Sequence, residues 1–206
     1  MELDLAVTAF VTLFVIIDPI GLAPMFVAVT RGMSNDQRRG IALRACLIGA
    51  VILALFGIGG EFVLDKVGIS MSAFRISGGI LLFLTALEML FERRSKRRGE
   101  KAEPDDSHDP SVFPLAMPLI AGPGAMTSMI LLMGQNSGDL ANQLMVYGVM
   151  IGVVLITLVF FLMGGLIERA MGQTGTNITT RLLGMFLAAL SVQFVLDGLK
   201  DFGVMG

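Results

Sequence analysis

Val15-Ile16-Ile17-Asp18-Pro19-Ile20-Gly21-Leu22-Ala23-Pro24 lies inside a long apolar run, yet it holds a carboxylate and two prolines. Proline removes a backbone donor and clashes with the preceding turn, so it breaks a helix. In hydrocarbon, a broken backbone survives only where protein or a water-lined cavity satisfies the freed groups. A second stretch repeats the pattern: Pro114-Leu115-Ala116-Met117-Pro118-Leu119-Ile120-Ala121-Gly122-Pro123-Gly124-Ala125. Five of the seven prolines fall in these two stretches, at matching places in the two halves, and the four other long apolar segments contain none. Paired interruptions of this kind point to a solute site near the bilayer midplane.

The surrounding chain is that of a polytopic membrane protein. Its 206 residues are 54% hydrophobic and 16% charged, against about 25% charged in ordinary soluble domains. Mean hydropathy is +0.79. Cys46 is the only cysteine and His108 the only histidine. Neither an internal disulfide, a paired-thiol redox motif nor a His/Cys metal centre can be built from that set, whereas carboxylate-only ion sites stay open. No cofactor is expected, and no nucleic-acid partner. The first residues, Met1-Glu2-Leu3-Asp4, lack a basic leader, so the apolar run after them reads as a retained span.

A membrane span needs roughly 20 apolar residues. Six segments qualify: 5–30, 41–63, 72–91, 111–133, 143–167 and 180–199. The expected fold is all-α and integral to the membrane, with a three-helix unit at 1–91, a charged linker at 92–110 and a second three-helix unit at 111–206. The linker holds six basic and six acidic residues. Six spans put both termini on one side with Lys66, Arg75 and Lys200, and leave 12 basic residues on the other. The excess of arginine and lysine marks the cytoplasmic side. Both termini are then periplasmic in a bacterial inner membrane, and the linker is cytoplasmic.

The halves align. Asp18-Pro19-Ile20-Gly21 matches Gly122-Pro123-Gly124-Ala125, and Arg75-Ile76-Ser77-Gly78 matches Arg181-Leu182-Leu183-Gly184. The spacing from proline to arginine is 56 residues in the first half, Pro19 to Arg75, and 58 in the second, Pro123 to Arg181. Three spans per half is an odd number, so the second unit would be inverted relative to the first, a common transporter architecture. Spans 1 and 4 would be broken at Pro/Gly or re-entrant.

The residues at the breaks admit two readings each. Asp18 is costly at the centre of a span, about 2.5–3.5 kcal/mol on insertion scales, which suits a group facing a cavity and exchanging a proton. It also precedes Pro19, and Asp-Pro is an N-cap followed by the first helical position. Gly21 and Pro24 complete that break. Gly122, Pro123 and Gly124 form the second break without a charge, and Thr127 and Ser128 follow it with hydroxyls. A helix starting at Pro123 would turn its free N–H groups toward the protein centre, where they attract a carboxylate. The alternative is that the small residues simply let helices pack closely. Arg75 and Arg181 head spans 3 and 6, either snorkelling to the interface or forming gating ion pairs. Ser191 and Gln193, and more weakly Ser77, Thr85 and Thr157, are candidates for hydrogen bonds across helices. Gly78-Gly79, Gly57 with Gly60, and Gly164-Gly165 read as packing surfaces.

The runs Asp18-Pro19-Ile20-Gly21-xx-Pro24, Phe74-Arg75-Ile76-Ser77-Gly78-Gly79 and Pro114-xxx-Pro118-xxx-Gly122-Pro123-Gly124-Ala125-xx-Thr127 together resemble the MarC family of six-span bacterial and archaeal inner-membrane proteins. The resemblance covers essentially the whole chain. It implies a secondary transporter of small neutral amino acids such as glycine and alanine. It carries no catalytic assignment, so the site residues rest on the physical reading alone.

The expected function is a proton-linked carrier with a small-molecule substrate and the lipid bilayer as its surroundings; a homo-oligomer is compatible with the sequence. The rival is a channel or an exporter for another small solute or ion, which would be expected to show a ring of repeated charges or carbonyls. No nucleophile–base constellation supports a membrane enzyme, and no nucleotide-binding motif supports ATP-driven transport.

Overall fold

Long runs of Leu, Ile, Val, Ala and Phe, with Ser, Asn and Gly between them, fold into helices because a helix satisfies its own backbone in hydrocarbon. The computed structural model describes residues 2–91 and 109–203. They form α1 (Glu2–Ile17), α2 (Pro19–Val29), α3 (Asn35–Val67), α4 (Met71–Leu90), an irregular α5 (Ser111–Ile120), α6 (Pro123–Gln135), α7 (Leu140–Leu162) and α8 (Gly164–Asp201), with no strand among the described residues. Most of the 92–110 linker, Glu92 to His108, lies outside them.

Five stretches are long and apolar enough to cross a membrane: Leu3–Val29, Asn35–Val67, Met71–Leu90, Leu140–Leu162 and Thr174–Asp201. A sixth is the pair α5 and α6, bent by 53° at their junction. That pair climbs alongside α3. Arg44 of α3 meets Asp109, just before α5. A Cβ on Gly49 would touch Ile120, on Gly57 Met129, and on Gly60 Ile130. From Arg44 to Gly60 is about 24 Å along a helix axis. A re-entrant hairpin returns to the level at which it entered, and this pair does not, so its course is that of a broken span.

Ion pairs tie the helix ends together on two faces. Arg75, at the start of α4, pairs with Asp201 at the end of α8. Helix alternation puts the start of α1 on that same face, here the terminal face. The α2–α3 corner, the entry to α5 and the α7–α8 corner lie on the opposite, linker face. At the entry to α5, Asp109 accepts from the backbone N–H and the hydroxyl of Ser111 at 2.9 and 2.8 Å. These two bonds, with help from the Arg44 guanidinium, hold its carboxyl below the usual range.

Neighbours follow a regular scheme. Span 1 (α1 and α2) packs on α7, and span 4 (α5 and α6) packs on α3; span 1 also packs on α8, and α6 on α4. α3 meets α7, and α4 meets α8 in the most extensive pairing of all. The α4–α8 pair is antiparallel and close because it is lined by small residues. A Cβ on Gly79 would lie 2.8 Å from the Ser191 carbonyl oxygen, on Gly198 3.0 Å from that of Ser72, and on Gly184 3.3 Å from that of Ala86.

Several boundaries differ from the sequence expectation. α3 runs Asn35–Val67 rather than 41–63, closed by a Ser34/Gln37 capping box and by Gly68 at φ 80°. The expected loop 168–179 is largely helical, interrupted at Gly172 (φ 60°, ψ 179°). Hydropathy marks what hydrocarbon needs, while capping decides where a helix ends. The polar residues expected to bond across helices bond within their own instead. Ser191 donates to Ala188 O, Gln193 to Asp197, Ser77 to Phe74 O, Thr85 to Leu81 O and Thr157 to Val153 O. The carbonyl three or four residues back is always within reach of a helical hydroxyl. Of the glycine pairs, Gly164 packs on Val27 whereas a side chain at Gly165 would meet nothing within 4 Å.

Candidate functional site

The two breaks are built differently. In span 1 a single residue leaves the helical region. Asp18 has φ 58° and ψ 64° and is the only non-glycine residue with positive φ among those described. Such a conformation costs on the order of 1–3 kcal/mol and must be over-determined by its surroundings. The break is confined to one junction: Asp18 N–H donates to Phe14 O, the last bond of α1, and Leu22 N–H to Asp18 O, the first of α2, both at 2.9 Å, while the Gly21 N–H turns to the Asp18 side chain. Span 1 is therefore notched at Asp18, and neither interrupted at Pro24 nor re-entrant. Pro24 sits inside α2.

Asp18 is fully buried. Its Oδ1 accepts from the Gly21 N–H at 3.0 Å and so caps α2, whose first residue is Pro19. Its Oδ2 accepts from the hydroxyl of Thr180 on α8 at 3.4 Å. Gly21 is required beneath it, because a Cβ there would lie 2.2 Å from Oδ2.

In span 4 the chain bends in earnest. Pro114 and Pro118 lie within α5, which contains extended residues at Phe113 and Met117, each preceding a proline. The peptide bonds before both prolines are cis. Gly122 then caps α6 with no side chain to offer, and Pro123 is its first residue. The N–H groups of Gly124 and Ala125 consequently have no side-chain acceptor of the kind Asp18 gives Gly21. Gly124 is buried against Ile16 and Leu82, with Ile16 Cδ1 2.7 Å from where its Cβ would be.

Because Ile16 is two residues before Asp18, the two breaks share one level of the bundle. One turn further toward the terminal face, Thr12 on α1 and Ser128 on α6 stand at the same register, since α1 and α6 run antiparallel. Both are fully buried, and neither hydroxyl has a hydrogen-bond partner among the described residues. Thr127 turns instead to α4, where its methyl meets Gly78. Asp18 with Thr180, and the α6 N-terminus with Ser128, thus lie within about a turn of one another along the bundle axis. Opposite partial charges at one level suit a small dipolar solute.

Arg75 is held at the terminal face by Asp201, and Arg181, next to Thr180 along α8, is exposed. Thr12 and Thr180 did not emerge from the sequence, where a threonine in an apolar helix carries no signal of its own.

A bundle of apolar helices with one notched and one bent span defines a multi-pass integral membrane protein. Its family follows from the whole chain: the model of the MarC family integral membrane proteins matches residues 3–202, and the chain belongs to that family. It is 41% identical over 197 residues to a UPF0056 membrane protein of Archaeoglobus fulgidus, covering 94% of this chain and 91% of the relative. It is 34% identical to one of Aquifex aeolicus, covering 96% and 93%, and 32% identical to the UPF0056 membrane protein YvbG of Bacillus subtilis, covering 97% and 96%. No solved structure matches it.

Proposed function

We propose that the chain is a secondary transporter of small neutral amino acids, of glycine or alanine size, linked to proton movement across a bacterial inner membrane. The single observation that carries this reading is that two half-helix N-termini fall at one buried level. One is capped by its own carboxylate, Asp18; the other, at Gly122-Pro123, has no side-chain cap. A substrate carboxylate would take at α6 the place that the Asp18 carboxylate takes at α2. Its ammonium group would face Asp18, and Ser128 and Thr12 would supply hydroxyls. Asp18, fully buried and held by a hydroxyl and an amide, would exchange the coupling proton.

Alternating access would come from two inverted three-helix repeats, 1–91 and 111–206. The neighbour scheme supports that reading. An axis exchanging spans 1, 2 and 3 with spans 4, 5 and 6 turns the span 1–α7 contact into the span 4–α3 contact, and span 1–α8 into α6–α4. It returns α3–α7 and α4–α8 to themselves. The Arg75–Asp201 pair would close the terminal face in one state. The excess of arginine and lysine at the linker face supports a cytoplasmic linker with both termini periplasmic.

The experiment is reconstitution into liposomes, with uptake of radiolabelled glycine and alanine measured with and without a pH gradient. Saturable uptake that rises with the gradient supports the reading. Folded protein that takes up neither amino acid overturns the substrate class.

A further inference from the structure

The linker face carries a cavity of about 670 Å³, whose lining includes no residue of the two breaks. It lies where the end of α2, the start of α3, the end of α7 and the start of α8 meet. Its size is within the roughly 300–1,000 Å³ of small-molecule sites. Its floor is Phe26 stacked on Phe161, centroids 4.6 Å apart and planes 7° apart. Arg38 stands 5.8 Å above the Phe26 ring, and Arg39 and Asn35 line the same wall. Neither guanidinium has a carboxylate partner among the described residues. Across the cavity the wall is apolar: Leu162 and Leu166, 51% and 62% exposed, continue it onto the outer surface of the bundle.

The cavity is thus basic on one side and greasy on the other, at the end of membrane-crossing helices. We propose that it seats an anionic phospholipid, whose phosphate is held by Arg38 and Arg39 and whose acyl chains leave along Leu162 and Leu166. Arginine suits this role because its planar fork binds phosphate oxygens in pairs and stacks on an aromatic face. Basic pockets between membrane helices recognise lipid headgroups by this chemistry. A free phosphate would use the arginines alone and leave the apolar wall unexplained. Seated there, the lipid would bridge the α2–α3 corner to the α7–α8 corner, one from each half of the chain.

Native mass spectrometry of the detergent-purified chain with defined lipids tests this. Wild type and Arg31→Gln, an exposed arginine outside the cavity, should bind phosphatidylglycerol over phosphatidylethanolamine by about tenfold or more, the scale set by two arginines at an anionic headgroup. Arg38→Gln/Arg39→Gln should reduce that preference to about twofold or less by the same reckoning. Gly165→Trp fills the cavity from a position with open space around it while keeping both charges, so it should remove the preference too. If the preference survives Gly165→Trp, the attraction belongs to the basic surface and the proposal fails. It fails equally if the double variant keeps the preference, or if inorganic phosphate displaces the bound lipid at millimolar concentration. The readout is independent of transport, so its failure leaves the carrier reading standing, and the reverse.

Discussion

The notch in span 1 and the bend in span 4 occupy corresponding places, yet one brings its own anion and the other does not. Asp18 puts a carboxylate over the first turn of α2, and its own backbone takes the last bond of α1 and the first of α2. Gly122 offers α6 nothing, and the chain there turns by 53°. The helix dipole makes the same demand at both N-termini. Span 1 answers it within the protein, whereas α6 has no side-chain cap of its own. Two similarly interrupted spans need not offer equivalent helix ends, since one side chain can convert one of them into structure.

The largest expected effect comes from removing the built-in anion. Asp18→Asn should abolish the response of uptake to a pH gradient; an unchanged response would return Asp18 to a purely capping role. Giving span 4 the same feature sharpens the contrast. Gly122→Asp should depress uptake about tenfold below Gly122→Ala, on the scale of a lost charge-assisted hydrogen bond of about 1.5–3 kcal/mol. The alanine variant is the reference because any Cβ there meets Pro118 O at 2.6 Å. Equal uptake by the two would mean that the α6 N-terminus holds no anion.

Gly21→Ala attacks the notch from beneath, forcing the Asp18 carboxylate to move. Thermal unfolding in detergent should show a loss of about 1–3 kcal/mol, the usual cost of overpacking. Ser128→Ala removes a buried hydroxyl that has no partner among the described residues. It should leave stability within about 1 kcal/mol of wild type or raise it, while increasing the KM for uptake. Loss of stability with an unchanged KM would mark Ser128 as structural. The smallest effect lies at the entry to α5. The Asp109 carboxyl is held below the usual range, so what it adds to stability is present above the unfolded pKa, near 3.8, and is lost as pH falls through the lower folded value. Asp109→Asn should flatten that acid limb and leave neutral-pH uptake unaltered.

Much of this comparison was legible in the residues themselves. Apolar length gave the spans, and proline after Asp18 and Gly122 gave the starts of α2 and α6, because proline at the first helical position is a local preference. What pairs with the breaks was not legible. Thr180 reaches Asp18 from 162 positions away, and Thr12 meets the level of Ser128 only through the antiparallel register of α1 and α6. Sequence also left the form of the first break open. It read span 1 as broken or re-entrant at Pro/Gly; the helix breaks at Asp18-Pro19, where Asp18 lies in the left-handed region and caps α2, and Leu3–Val29 still runs as one span rather than turning back. The helix start at Asn35 and the helical course of 168–179 escaped for a different reason, since polar residues continue a helix that hydropathy has already closed.

The central claim is that a solute reaches the α6 N-terminus beside Ser128. The direct test is alkylation of Ser128→Cys in a Cys46→Ala background by a small membrane-impermeant thiol reagent, applied to either side of sealed vesicles with and without alanine. The account predicts labelling that alanine suppresses and an equal concentration of glycerol does not. Labelling indifferent to alanine, or none from either side in folded protein, would contradict it.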